Sequence, residues 1–154
     1  MPDRPTERPS DPRITAVVQF YQTLAPQDLA PDGRLARIYA PDARFKDPFN
    51  EVQGLAAISA IFGHMFEALM QPRFVVLRAV AGVDEVFLTW DFHFRSRGRG
   101  ARALCIHGAS HLQFNAAGQV QYHRDYWDAA EELYEKLPVI GALMRWLKRR
   151  AAQA

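Results

Sequence analysis

Cysteine is nearly absent: the 154 residues hold one, Cys105, so no disulfide can close within the chain and stability has to come from a packed core. No run of about 20 apolar residues occurs, which removes any helical membrane span, and the first residues lack the apolar stretch of a secretory signal. A cytoplasmic address is the expectation. Charge of one sign is scarce too. Nineteen Lys and Arg stand against 17 Asp and Glu, a formal net charge of +2, too small to argue for a nucleic-acid binder. The basic run "RSRGRGARA" interleaves arginine with glycine and has no aromatic platform on which bases could stack, so it reads as a solvated hairpin tip. What is present is 49% hydrophobic residues with 12% aromatics, enough for one core and for the walls of a cavity.

Residues 1–10, "MPDRPTERPS", mix prolines with both charges and read as a disordered lead-in. Asp11 and Pro12 then form an N-cap and a first helical position. Ile14, Val17, Val18, Tyr21 and Leu24 follow at helical spacing, which puts Tyr21 on a buried stripe. After the breaker-rich "APQDLAPDG", a short second helix carries Leu35, Ile38 and Tyr39 and ends at Pro41. "YAPDARFKDP" gives a turn and a strand that stops at Asp47. Gly54 opens a third helix, whose Leu55, Ile58, Phe62, Met65 and Leu69 form one face before Gln71-Pro72 ends it. From Arg73 the period becomes two, in four segments separated by Gly-Val-Asp, Arg-Gly-Arg-Gly and Asn-Ala-Ala-Gly, which predicts an antiparallel meander. In the second segment Val86, Leu88, Trp90, Phe92 and Phe94 share one face, and Phe87, Thr89, Asp91, His93 and Arg95 the other.

Helices first and strands afterwards predict an α+β domain over residues 11–130, with three N-terminal helices packed on one concave face of a curved antiparallel sheet. Residues 131–154 read as an amphipathic basic C-terminal helical extension. There Pro138 starts a helix with Ile140, Leu143, Met144 and Leu147 as its stripe and Arg145, Lys148, Arg149 and Arg150 as its basic side. Peripheral contact with an anionic membrane is one reading of this tail. A lid over a pocket or a dimer clasp is the other, favoured by the shortness of the stripe.

The order of elements, with "IYAPDARFKDP", the Gly54 ahead of the third helix, "LQFNAAGQV" as strand-turn-strand and "HRDYWD" at the end of the last strand, resembles the nuclear transport factor two-like superfamily. That superfamily includes SnoaL-like polyketide cyclases, ketosteroid isomerases and limonene epoxide hydrolases, and the resemblance covers residues 14–128. It implies a cone-shaped pocket. It aligns Asp47 with the general base of the isomerases, Tyr21 with their oxyanion-stabilising tyrosine, and Ser110 with a second oxyanion-hole acid that is therefore missing here. It aligns Asp125 with a water-activating carboxylate of the hydrolases, flanked by His123 and Trp127. The hydrolases' arginine and aspartate fall on the face of Leu88, Trp90 and Phe92, which argues against epoxide hydrolysis.

Each candidate has a plainer reading beside the functional one. Asp47 is either a turn acid before proline or a base in a pocket walled by Phe45, Phe49 and Trp90. Tyr21 is either a core tyrosine or a donor to a developing enolate. His123 and Asp125, one residue apart on a strand, can touch and orient an imidazole for proton transfer, or they join an ion-pair cluster with Arg44 or Arg124. Val120, Tyr122 and Tyr126 make an equally good inward set by periodicity. The resemblance is what selects His123, Asp125 and Trp127. Tyr39, Phe45, Phe49, Phe62, Trp90, Ser110 and Trp127 are the expected substrate contacts. No cofactor and no metal are expected, since His107 and His111 are spaced for a helix and lie on a strand, and Cys105 reads as packed. The expected function is proton-transfer chemistry (isomerisation, cyclisation or dehydration) on a hydrophobic small molecule, with Asp47 as base, Tyr21 steadying negative charge and the His123-Asp125 pair assisting. The rivals are a non-catalytic ligand carrier or accessory subunit, and a scaffold forming a homodimer through the outer sheet face.

Overall fold

The computed structural model describes residues 11–132; the expected lead-in and the tail helix from Pro138 lie outside the described residues. Helix α1 spans Pro12–Gln22. Its N-cap Asp11 accepts the Arg13 backbone N–H at 2.8 Å, and the Arg13 guanidinium grips the same carboxylate, so one side chain satisfies an orphan donor and anchors a cation. Ile14, Val17, Phe20 and Tyr21 are its buried face, as the spacing predicts. The breaker-rich segment contains a 3-10 turn, Pro26–Leu29, organised by the buried Asp28. That carboxylate accepts the Ala25 N–H at 2.8 Å and both Arg34 donors at 2.6 Å. The Arg34 guanidinium holds the Asp28 carboxyl below its ordinary range.

Helix α2 is shorter than expected, Leu35–Ile38, and strand β1 (Tyr39–Lys46) begins at once. Pro41 explains the early stop: it lacks an N–H and pushes the preceding residue to extended geometry, so Tyr39 and Ala40 already belong to the strand. A short strand β2, Glu51–Gln53, returns antiparallel to β1. Helix α3 (Leu55–Ala68) starts at Gly54, whose φ of 93° belongs to the left-handed half of the map that glycine tolerates. Strands β3 (Met70–Ala81), β4 (Glu85–Arg95), β5 (Ala103–Phe114) and β6 (Val120–Tyr126) follow, then a turn of helix α4 (Ala129–Glu132).

The sheet has six strands in the order β2-β1-β6-β5-β4-β3. The meander β3 to β6 is antiparallel, but β1 runs parallel to β6, which corrects the all-antiparallel expectation. Strands that far apart in sequence are not tied by a hairpin, and a connection that includes α3 allows the parallel pairing. Val86, Leu88, Trp90, Phe92 and Phe94 are all buried against Phe20, Leu35, Ile58 and Phe62, so the helices cover the face that alternation assigned to the core. The opposite face leaves Phe87 and Val80 exposed.

A bulge decides the facing of β6. Phe114 pairs with Val120 but Gln113 pairs with Tyr122, so Gln121 is the extra residue. Val120 and His123 differ in parity, yet both are buried, at 0% and 2% exposure, because an extra residue shifts the alternation by one. No described helix is long and apolar enough to cross a membrane.

Candidate functional site

Six side chains from five elements form one buried hydrogen-bonded group. His123 sits at its centre. Its Nε2 lies 2.6 Å from Asp125 Oδ1, and its Nδ1 lies 2.6 Å from the Tyr39 hydroxyl and 2.9 Å from that of Tyr21. The two tyrosine hydroxyls also bond to each other. On the far side, Ser110 Oγ donates to Asp125 Oδ1 at 2.5 Å, and the Trp90 indole N–H donates to Ser110 Oγ at 2.8 Å. With the imidazole proton on Nε2, directed at the carboxylate, Nδ1 accepts from one tyrosine while the other tyrosine donates to its neighbour. Every polar hydrogen then has an acceptor, the condition for burying such a group without penalty.

Local structure explains how each member arrives. Tyr21 comes from the buried stripe of α1 and Tyr39 from the first position of β1. Ser110 and Asp125 are cross-strand partners, as are Trp90 and Gly108. Gly108 is required sterically, since a Cβ there would fall 2.3 Å from the Trp90 ring. Without a side chain at 108, the indole lies across β5 and reaches Ser110. The imidazole is held by a near-parallel Tyr39 ring (14° between planes) and by the edge of Phe45, 4.7 Å between centroids.

The tyrosines stay protonated. Desolvation is the largest cause raising the Tyr21 hydroxyl well above its ordinary 10.0, followed by the adjacent Tyr39. Tyr39 is raised by the same burial, and the Asp125 charge pushes both in that direction. Both are therefore O–H donors at neutral pH.

Two cavities meet at Asp125. An inner cleft of about 10 Å³ is lined by Tyr21, Phe62, Phe74, Trp90, His123 and Asp125, room for roughly one water. An open groove of about 540 Å³ is lined by Lys46, Asp47, Pro48, Arg124, Asp125 and Trp127. A third hollow, about 320 Å³, reaches Tyr21 and Phe74 from the helix side, between Leu24, Met65 and Pro72. Asp125 Oδ1 takes both bonds from Ser110 and His123; among the described residues nothing donates to its Oδ2.

Asp47 borders the outer groove, but its oxygens close their own turn. Oδ1 accepts the backbone N–H of Phe49 and of Asn50, each at 2.7 Å, and both oxygens meet the Asn50 side-chain amide. That is the geometry of the turn reading. Phe49 is 53% exposed and packs its edge on Trp127, 5.4 Å between centroids. Phe45 and Phe62 are buried, edge to face. Arg124 lies over the Tyr126 ring, and the Asp125 carboxylate bonds to His123 and Ser110. Sequence reasoning brought Tyr21, His123, Asp125, Ser110 and Trp90 to one place. It missed Phe74 and Val76 as cleft walls, although their shared face in "RFVVLRAV" was a usable signal, and it set Tyr39 against substrate where the structure sets it against His123.

Comparison with known proteins gives the family. A model of the SnoaL-like domain matches residues 17–123. Steroid Delta-isomerase of Nocardioides simplex is 31% identical over 96 residues, covering 60% of this chain and 73% of that protein. A solved protein from Catenulispora acidiphila with a ketosteroid isomerase-like fold, in complex with trimethylamine, superposes with a TM-score of 0.66 at 15% identity over 79% of this chain and 89% of its own. A candidate SnoaL-like polyketide cyclase from Shewanella denitrificans does so at 0.63 and 16%, over 79% and 93%. At such identities the two structures speak for the fold alone, whereas the domain match spans well over half of the chain: it belongs to the SnoaL-like family, on the fold that family shares with the ketosteroid isomerases.

Proposed function

We propose that the chain is a cofactor-independent enzyme that relocates protons on a hydrophobic small molecule, in an isomerisation, cyclisation or dehydration, with Asp125 as the base. One observation carries this reading. The Asp125 carboxylate is fixed through one oxygen by His123 and Ser110, its other oxygen takes no hydrogen bond from the described residues, and it stands where the groove meets the cleft. A base held in position with an unengaged lone pair is what carbon-acid deprotonation requires.

The substrate's apolar body rests in the groove against Trp127 and Pro48, and its carbonyl enters the cleft as the Phe74 ring turns aside. Asp125 Oδ2 takes the proton beside the carbonyl, and Tyr21 donates a hydrogen bond to the enolate oxygen. Asp125 returns the proton at a different atom, so protons balance and no cofactor enters. Asp47 holds the turn that forms one wall of the groove. The likeness to a steroid Delta-isomerase makes double-bond migration in a steroid or smaller cyclic ketone the first reaction to try.

Absorbance of the conjugated product from a panel of unconjugated cyclic ketones tests the proposal. Asp125→Asn lowers turnover by at least about 100-fold with an unchanged circular dichroism spectrum, while Asp47→Asn stays within a few-fold of wild type. Wild-type turnover by Asp125→Asn, or loss of turnover by Asp47→Asn with an intact spectrum, overturns the assignment. A compound that raises the melting midpoint and is never converted replaces the enzyme with a carrier.

A further inference from the structure

The outer face of the sheet carries a second cluster, on the side away from the Tyr-His-Asp group. Strands β4 and β5 are in register there, with Asp91 opposite His107 and His93 opposite Cys105. Alternation puts these four on one face, while Phe92 and Ile106 between them point into the core. Four side chains able to bind a metal thus occupy a two-by-two block. The potential ligand atoms of Asp91, His93 and Cys105 all lie within 4.8 Å of one another. His93 Nε2 is 4.0 Å from Cys105 Sγ, and His107 Nδ1 is 2.5 Å from Asp91 Oδ1.

We propose that Asp91, His93 and Cys105 bind a zinc(II)-class cation on this face, with His107 orienting the Asp91 carboxylate. Bonds of about 2.0–2.3 Å place tetrahedral ligand atoms roughly 3.5 Å apart, so closure takes small side-chain rotations and no backbone movement. A thiolate, an imidazole and a carboxylate together are soft enough to prefer zinc or cobalt over magnesium or calcium. Three protein ligands leave a fourth position for water. Each of the three is half-buried, which limits competition from solvent, and a histidine bonded to a carboxylate ligand is a usual second layer of such sites. Arg73 pairs with His93 from β3 and is exposed, so its charge can stay in solvent. Binding breaks the Cys105 S–H bond, forms a metal–sulfur bond and releases the proton to water, so affinity rises with pH. His107 and His111 lie along one strand, whereas this group crosses two.

Cobalt(II) titration of the full chain after chelator dialysis is the test. The expected result is one cobalt per chain with a thiolate-to-cobalt charge-transfer band in the near ultraviolet, removed by stoichiometric zinc. Cys105→Ser abolishes the band. His93→Gln weakens binding at least about 10-fold and His107→Gln by about 10- to 100-fold. His111→Gln, a histidine of the same face outside the block, binds as wild type does, and circular dichroism confirms that each variant is folded. The proposal falls if saturating cobalt gives no charge-transfer band, or if calorimetry finds cobalt bound equally by wild type, Cys105→Ser and His93→Gln.

Discussion

Two tyrosine hydroxyls converge on one imidazole nitrogen, which makes a double-mutant cycle the sharpest probe of the buried group. In Tyr39→Phe, His123 Nδ1 keeps Tyr21 at 2.9 Å; in Tyr21→Phe it keeps Tyr39 at 2.6 Å. Phenylalanine fills the ring space in either case, so each single change removes little beyond one net hydrogen bond, about 1 kcal/mol. The double variant differs in kind. It leaves Nδ1 of a residue only 2% exposed with no donor, and an unsatisfied buried acceptor costs roughly a further 1–3 kcal/mol. The double loss is then about 3–5 kcal/mol where additivity gives about 2 kcal/mol, a coupling of at least about 1 kcal/mol. Urea unfolding of the four proteins, compared at constant m-value, measures it. Additivity within about 0.5 kcal/mol would refute the shared acceptor and the Nε2–H tautomer of His123.

Three further outcomes follow from the same packing. Gly108→Ala pushes a Cβ to 2.3 Å from the Trp90 ring, so the indole leaves Ser110; unfolding shows a loss of about 2–3 kcal/mol, with altered tryptophan emission. Both buried tyrosines are raised above 10.0, so the folded state keeps protons that the unfolded state releases. Their contribution is complete below pH 10 and declines above it, by up to about 1.4 kcal/mol per pH unit for each tyrosine; urea midpoints between pH 9 and 11 fall more steeply in wild type than in the double phenylalanine variant, and equal slopes contradict this. We propose a homodimer through the outer sheet face, in which the cross-strand neighbours Val80 and Phe87, 66% and 44% exposed in the single chain, become buried. Light scattering gives a dimer mass that Phe87→Lys reduces to a monomer, and a monomeric wild type at micromolar concentration removes the idea.

What could be read from the sequence is what local backbone geometry decides. The alternation of β4 and the inward Tyr21 follow from periods of two and 3.6, and those periods hold wherever a strand or helix is regular. What could not be read depends on irregularity or on distant partners. The Gln121 bulge shifts the facing of β6, and nothing in "QVQYHRD" marks it, so periodicity leaves two inward sets in balance where the folded strand buries Val120 and His123 and exposes Tyr126. The parallel pairing of β1 with β6 joins segments some eighty residues apart. Asp47 shows the same limit within one turn. Its sequence neighbours suit a base and a turn acid equally, and nothing in them places the Phe49 and Asn50 donors that its carboxylate accepts in the folded turn.

The closed cleft and the doubled tyrosine belong to one physical problem. A group whose polar hydrogens are all satisfied internally is stable while shut, but a donor already engaged cannot stabilise an enolate. If His123 had one tyrosine partner, turning that hydroxyl toward a ligand would orphan a buried nitrogen at the moment of binding, and the penalty would subtract from catalysis. With two partners on Nδ1, Tyr21 can leave for the cleft while Tyr39 keeps the imidazole satisfied. The Nε2–H then stays directed at Asp125, and the base keeps its position throughout. Tyr39 acts in this scheme without touching substrate, as the group that lets Tyr21 move without leaving the core unsatisfied.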